Sequence, residues 1–422
     1  MNEGRAGLPR DPTADSALLL QRIGFFTLGV ALPVSAMLSR RAAVVLAPIG
    51  VALLVIAAML VEPDRFLRSF GRRSLKATSL ALLLFLAWSA LSTVWGARDA
   101  GANERILNMA LALGLGVAGV AALPERMRAA NLYAVAVGVG ASLALACGLM
   151  LTGLSLAGED DILLTRGLAL ALVLAAPVAG WLLLRGRTRA AGALLLVLLA
   201  AAALSGSQLL LAALAVALAC FALVVAAGPS AVRALAVAAA ALLLLAPAIA
   251  LALSWSPGVV GAGDASIFGR WGQIMQQEPA KLITGHGFGA VLAQQRAGLA
   301  PPDVSILFEI WHELGLVGAA AFAAALWLAI RAVRPLPVML QAGAVAAYAA
   351  ALTLGVAGLA GFRAWWLMTI AAGVVLTTAI ARGQGRTDRP LAAFVRQRAA
   401  PGEGEPAAPA ATAASPDKAP AG

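Results

Sequence analysis

Two cysteines and two histidines are all that the 422 residues contain, and charged side chains make up only 12% of the chain. Cys147 and Cys220 both fall inside apolar runs, so they read as small core residues and not as a disulfide framework or a metal pair. His286 and His312 are too far apart, with too few partners, to match any zinc spacing. The acidic clusters that hold a sugar nucleotide through a cation are missing as well. Soluble domains carry roughly twice this share of charge. With 61% hydrophobic residues and a mean hydropathy of +0.90, the composition is that of a membrane protein.

What is present is a succession of apolar segments. The stretch before the first of them, Met1 to Ala17, is polar, carries Asp11 and Asp15 and is followed by no small-residue cleavage site, so the first span is expected to act as its own signal. A window of about 19 residues predicts twelve spans in an all-α polytopic fold, near 19–38, 42–61, 79–96, 107–123, 132–151, 167–184, 191–206, 209–227, 234–253, 315–333, 341–361 and 365–381. Ser205-Gly206-Ser207-Gln208 divides the long apolar run from 191 to 227 into two lengths. No period of 20 to 50 residues repeats.

The net charge of +11 invites a nucleic-acid partner, but the placement of the cations accounts for it. With the amino terminus inside, 21 of the 31 Lys and Arg residues lie in the two tails and the inner loops. This bias orients both ends to the cytoplasm and leaves no call for nucleic acid. The expected organisation is a cytoplasmic tail at 1–18, spans one to nine over 19–253, an outer loop at 254–314, spans ten to twelve over 315–381, and a disordered cytoplasmic tail rich in Pro, Ala and Gly at 382–422.

The outer loop is by far the longest connection between spans, and long loops that keep a pattern are commonly functional. "SIFGRWGQIMQQEP" sets Ile267, Trp271, Ile274 and Met275 at helical spacing with Arg270 among the polar positions, and Pro279 ends the helix. A second helix is expected to start near Pro302-Asp303, with Asp303 as its N-cap, and to run through "VSILFEIWHELG". Between the two lies "TGHGFGAVL", whose glycines permit tight turns and close approach of backbone amides to a ligand. No strand precedes it, so a dinucleotide-binding reading is rejected.

These residues resemble the superfamily of membrane lipopolysaccharide O-antigen ligases and O-antigen polymerases. The resemblance rests on the twelve-span plan, on "SIFGRW" leading through "EPAKLITGHGFG" to "FEIWHELGLVGA", and more weakly on "LLTRGLALALVLAAP" and "SGSQLLLAAL". Its strong part covers Ser266 to Gly318. It implies a GT-C-like glycosyltransferase of the bacterial inner membrane that needs no metal and no other cofactor. Such an enzyme moves a glycan from undecaprenyl diphosphate, at the periplasmic face, onto lipid A core or onto a growing glycan. The family pattern places arginines at Arg166 and Arg270. Many relatives carry Pro-His-Asn where this chain has Asp303, Val304 and Ser305, and His312, about two turns further along, does not simply inherit that histidine's role.

A lipid diphosphate leaving group needs fixed positive charge where negative charge develops, and guanidinium groups fork onto phosphate oxygens. Arg166 and Arg270 are the first candidates, with Lys281, Arg296, Arg98 and Arg363 behind them. The plain alternatives are an interfacial arginine at the end of a span for Arg166 and a solvated helix face for Arg270. The acceptor hydroxyl must lose a proton, which calls for a group that titrates near neutrality. His312, three residues after Glu309 on one helix face, is one candidate base. His286 is another, and a carboxylate among Asp303, Glu309 and Glu313 is the third. Glu159-Asp160-Asp161 reads as a solvated loop, and Trp255, Trp271, Trp311, Trp365 and Trp366 as an interfacial aromatic belt. The reading from a different class is a secondary transporter or a flippase of lipid-linked oligosaccharide. It is disfavoured because charge is nearly absent from the middle of the spans.

Overall fold

A computed structural model describes residues 12–96, 100–153, 160–254, 278–297 and 305–383, and among these every regular element is a helix. In chain order they are α1 (Pro12–Ala36), α2 (Ala42–Val61), α3 (Pro63–Ser74), α4 (Ala77–Ser92), α5 (Ala100–Ala122), α6 (Ala129–Thr152), α7 (Asp160–Leu184), α8 (Thr188–Leu204), α9 (Gln208–Ala227) and α10 (Pro229–Ser254). There follow α11 (Lys281–Thr284), α12 (Ala290–Arg296), α13 (Ile306–Arg331), α14 (Val338–Val356) and α15 (Ala364–Arg382). Ten of these are long and apolar enough to cross a membrane, and α3 with α4, bent by 66° at their junction, makes an eleventh if the pair is one span. Helix α8 is apolar but shorter.

Several boundaries differ from the sequence reading, α5, α7 and α13 each starting seven or more residues early, and two differences change the plan. Helix α1 begins at Pro12, so the expected tail at 1–18 is partly helix; Pro at the first helical position loses no hydrogen bond there. The connection expected at 62–78 contains α3, "PDRFLRSFGRRS", an amphipathic helix with Phe66 buried and Arg68 and Arg72 exposed. Within α1 the chain passes through a π turn, Thr27–Ala31, just ahead of Pro33, whose missing N–H and bulky ring interrupt the i to i−4 ladder.

Helix α7 is the axis of the bundle, with 83% of its apolar window buried by other helices. Between apolar helices in apolar solvent, association depends on close packing and not on expulsion of water. A Cβ on Gly343 of α14 would stand 2.6 Å from the carbonyl oxygen of Ala176 in α7, and one on Gly180 would meet the carbonyl of Met339. The two backbones therefore touch because both positions lack a side chain. At one end of the bundle the guanidinium group of Arg382 donates to the carbonyls of Val120, Leu123 and Pro124, capping the last turn of α5. The opposite end, where α4 and α10 finish and α5, α13 and α15 start, carries the segment 278–297.

Candidate functional site

Helix α13 opens with a half-helix, Ile306–Leu314, whose N-cap is Ser305; its hydroxyl accepts from the Leu307 amide at 3.3 Å. Asp303, the expected cap, lies outside the described residues. All ten residues from Ile306 to Gly315 are buried, so this is a packed element and not an exposed loop helix. At Gly315 the backbone leaves helical geometry (φ 63°, ψ −159°) before the helix resumes. Only glycine fits there, because a Cβ would stand 2.5 Å from the Ile283 carbonyl oxygen.

A break of this kind takes the usual amide donors away from the carbonyls that precede it. Three carbonyls in succession find donors elsewhere. The His312 carbonyl accepts from the His286 amide at 2.8 Å, and Nδ1 of the same histidine lies 3.0 Å from it. The Glu313 carbonyl accepts from the Gly287 amide at 2.9 Å, and the Leu314 carbonyl from the Trp88 indole at 2.9 Å. This corrects the expected purpose of "GHGFG", since the amides that were to approach a ligand are spent on the protein itself. Phe288 donates to the Ser92 hydroxyl at 3.1 Å, and Val291 to Glu313 Oε1 at 3.0 Å. Gly287 (φ 93°) is pressed against Gly96, and a Cβ there would collide with the Gly96 backbone.

Beneath this stitched loop sits a buried charge cluster. Arg105 Nη1, from α5, lies 2.7 Å from Glu309 Oε1 and 3.9 Å from Glu313 Oε1, and the three side chains are 16%, 6% and 0% exposed. Glu309 also lies within the field of Arg363 at the start of α15, and its Oε2 would sit 2.7 Å from a Cβ on Gly361. Among the described residues Glu313 Oε2 has no hydrogen-bond partner. Buried carboxylates persist only where cations and amides compensate them, and here one arginine, a second nearby and the Val291 amide do so.

The two histidines meet face to face, ring centres 4.1 Å apart and planes 22° from parallel, with Phe308 on the other side of His312 at 5.0 Å. Gln294 Nε2 points at His312 Nε2 at 3.3 Å, and His286 Nε2 faces Glu278 Oε2 at 3.2 Å. The amide nitrogen can only donate, so this ring nitrogen of His312 acts as an acceptor. A small open pocket is lined by Glu278, Lys281, His286, Phe308, Trp311 and His312. It leaves about 20 Å³ in which the centre of a water molecule can move, room for one water and not for a sugar ring.

The structure thus brings His312, His286, Glu309, Glu313 and Lys281 together. Arg166 stands at the same end, its guanidinium carbon 5.4 Å from the ring centre of Trp365, two residues beyond Arg363. Arg296 is exposed at the last turn of α12, away from the pocket wall. Arg270, Arg98, Glu159 and the helix predicted over 266–277 lie outside the described residues, as do Trp255 and Trp271. Trp311, Trp365 and Trp366 are buried, which corrects the belt reading; the Trp311 indole donates to the Leu243 carbonyl at 2.7 Å. Sequence reasoning missed Arg105. Its signal was available, an arginine at the edge of an apolar helix, where a fixed charge is costly. Among the described residues no group of three His, Cys, Asp or Glu side chains is disposed to hold a metal ion.

The chain matches no family model, and comparisons with curated proteins and with solved structures find no match either.

Proposed function

We propose that this polytopic membrane protein is a glycan transferase. It would take a saccharide from an undecaprenyl diphosphate carrier at the periplasmic face of the inner membrane and pass it to lipid A core or to a growing glycan. In this reading the chain crosses the membrane twelve times, α4 and α8 counting as spans, with both termini cytoplasmic. The carrying observation is the site itself. The segment that resembles the ligase and polymerase superfamily, in its described part, folds onto one end of the bundle and gathers cations, carboxylates and imidazoles there. Among the described residues the buried carboxylate and imidazole side chains are Glu309, Glu313 and His312, all at this site.

Within this reading His312 is the base. Its ring lines the pocket, and the polar neighbour of its Nε2 is the Gln294 amide nitrogen at 3.3 Å, a weak contact whose place an acceptor hydroxyl would take, donating its proton to that nitrogen. Arg105 with Glu309 and Glu313 holds the half-helix that carries the ring, and acts as positioning machinery. Arg166 and Lys281 supply positive charge for the departing diphosphate, together with Arg270. The test is deletion of the gene followed by inspection of the surface glycan ladder. Loss of long chains with accumulation of lipid-linked polymer identifies a ligase, and a single repeat on core identifies a polymerase. Restoration of the ladder by Arg166→Ala and by His312→Ala at wild-type rate would remove the proposed chemistry.

One observation favours a second reading. The cluster of Arg105, Glu309 and Glu313 is ionisable and buried where a span begins, an arrangement also used by proton-coupled carriers. An unchanged ladder, together with proton-dependent uptake of a glycan-lipid into proteoliposomes, would establish a transporter instead.

A further inference from the structure

A second pocket, larger than the one beside the histidines, lies at the other end of the bundle. It opens between the first turns of α1, the last turns of α2, the start of α3 and the end of α5, and leaves about 190 Å³ for water-sized spheres. Leu54, Ala57, Ala58, Phe66, Ala121 and Ala122 form its wall. Among the described residues, Glu62 and Arg65 are the charged ones on its lining. An apolar groove that ends in polar groups at the end of a membrane bundle has the form of a lipid tail with its headgroup.

The charge around the mouth selects the headgroup. Segments 62–76 and 124–128 with Arg382 contain Arg65, Arg68, Arg72, Arg73, Lys76, Arg126, Arg128 and Arg382 against Glu62, Asp64 and Glu125. Arg65 is held at the opening by Glu62 at 2.9 Å and Glu125 at 3.4 Å, both carboxylates being largely in solvent. Arg65 and Arg73 also lie within the field of Arg382, whose Nη groups donate to the carbonyls of Val120, Leu123 and Pro124 at the end of α5. Helix α3 adds the form of an interfacial helix. Phe66 and Phe70 stack at 6.1 Å along one side while Arg68 and Arg72 are exposed. Juxtamembrane cations of this density attract acidic phospholipids, each worth about fivefold in affinity near the surface.

We propose that this groove is a binding site for one anionic glycerophospholipid, with an acyl chain between α1, α2 and α5 and the phosphodiester beside Arg65 under the basic face of α3. The inference is independent of the transferase reading, because none of its residues belongs to the histidine site.

The experiment is native mass spectrometry of the full chain, purified in detergent and offered phosphatidylglycerol or phosphatidylcholine of identical acyl composition. The wild type is expected to retain one phosphatidylglycerol in preference to phosphatidylcholine and to keep it against excess inorganic phosphate. Ala58→Phe, which fills the groove, should abolish that preference, and Arg65→Gln should reduce it about fivefold. Arg187→Gln, which removes an exposed cation from the turn between α7 and α8, should leave it intact. Should Ala58→Phe fail to fold, Arg65→Gln and the comparison of the two lipids carry the test. Equal retention of both lipids, displacement by phosphate, or an Arg187→Gln effect as large as that of Arg65→Gln would each overturn the proposal.

Discussion

Replacing Arg105 with Met tests whether the carboxylates of α13 are held by one guanidinium group. The arginine lies 2.7 Å from Glu309 and 3.9 Å from Glu313, and the carboxylates are 6% and 0% exposed, so its removal leaves two buried acids with only the field of Arg363 and backbone amides to compensate them. At an effective dielectric of about 20, a unit pair at about 4 Å is worth roughly 4 kcal/mol. Deleting one partner of a buried pair costs about 3–5 kcal/mol. Arg105→Met should therefore destabilise by about 3–5 kcal/mol. Glu309→Gln alone should cost about 1–2 kcal/mol, because Arg105 remains to serve Glu313. The double variant discriminates. If the damage is a stranded charge, adding Glu309→Gln to Arg105→Met recovers stability, leaving a loss smaller than that of Arg105→Met by itself. The assay is denaturant unfolding of the purified protein in micelles, followed by tryptophan fluorescence, to which Trp88, bonded to the Leu314 carbonyl, and Trp311, bonded to the Leu243 carbonyl, contribute from this half-helix and its surroundings. Additive losses, within about 0.5 kcal/mol, would refute the reasoning and reduce the cluster to packing.

Further expectations concern the loop and the reaction. Gly287→Ala forces a Cβ into the Gly96 backbone at φ 93° and should abolish accumulation of folded protein, whereas Gly114→Ala, in open space on α5, should be neutral or stabilising by up to about 1 kcal/mol; detergent-resistant expression level separates the two. Trp88→Phe leaves the Leu314 carbonyl without its donor and should cost about 1–3 kcal/mol in the same unfolding assay. Under the transferase proposal His312→Ala should slow glycan transfer by about 10²–10⁴-fold at unchanged protein level, read by timed labelling of the glycan ladder. His286→Asn, which keeps a polar side chain beside Glu278, should slow it by less than tenfold.

The alternation of apolar stretches with polar breaks was enough to read a helical membrane protein and to locate most of its helices. In a bilayer every backbone group must be satisfied within its own segment, so length and apolarity decide the element locally. The same local logic singled out the segment around "GHGFG" and "WHELG", because polar, Gly-rich sequence is costly in such surroundings. The amphipathic helix α3 is written in "PDRFLRSFGRRS" too, but with five charged residues in twelve it lacks the apolar length of a span and reads by hydropathy as a connection.

What local pattern lacks is any record of which polar groups meet. Gly315 breaks α13, and that break, visible only once the helix is placed against α4 and the glycine loop, turns the loop amides inward and decides that they serve His312 and Glu313. Arg105 stands 204 positions from Glu309, and nothing in the neighbourhood of either announces the other. Buried ion pairs and broken-helix caps are satisfied across the fold because the chain must find a partner for each polar group it removes from water, and the nearest partner in space belongs to another helix. Sequence determined where the membrane solvent is and where it is interrupted; the packing of α4, α5, α13 and α15 decided what the interruption is made of.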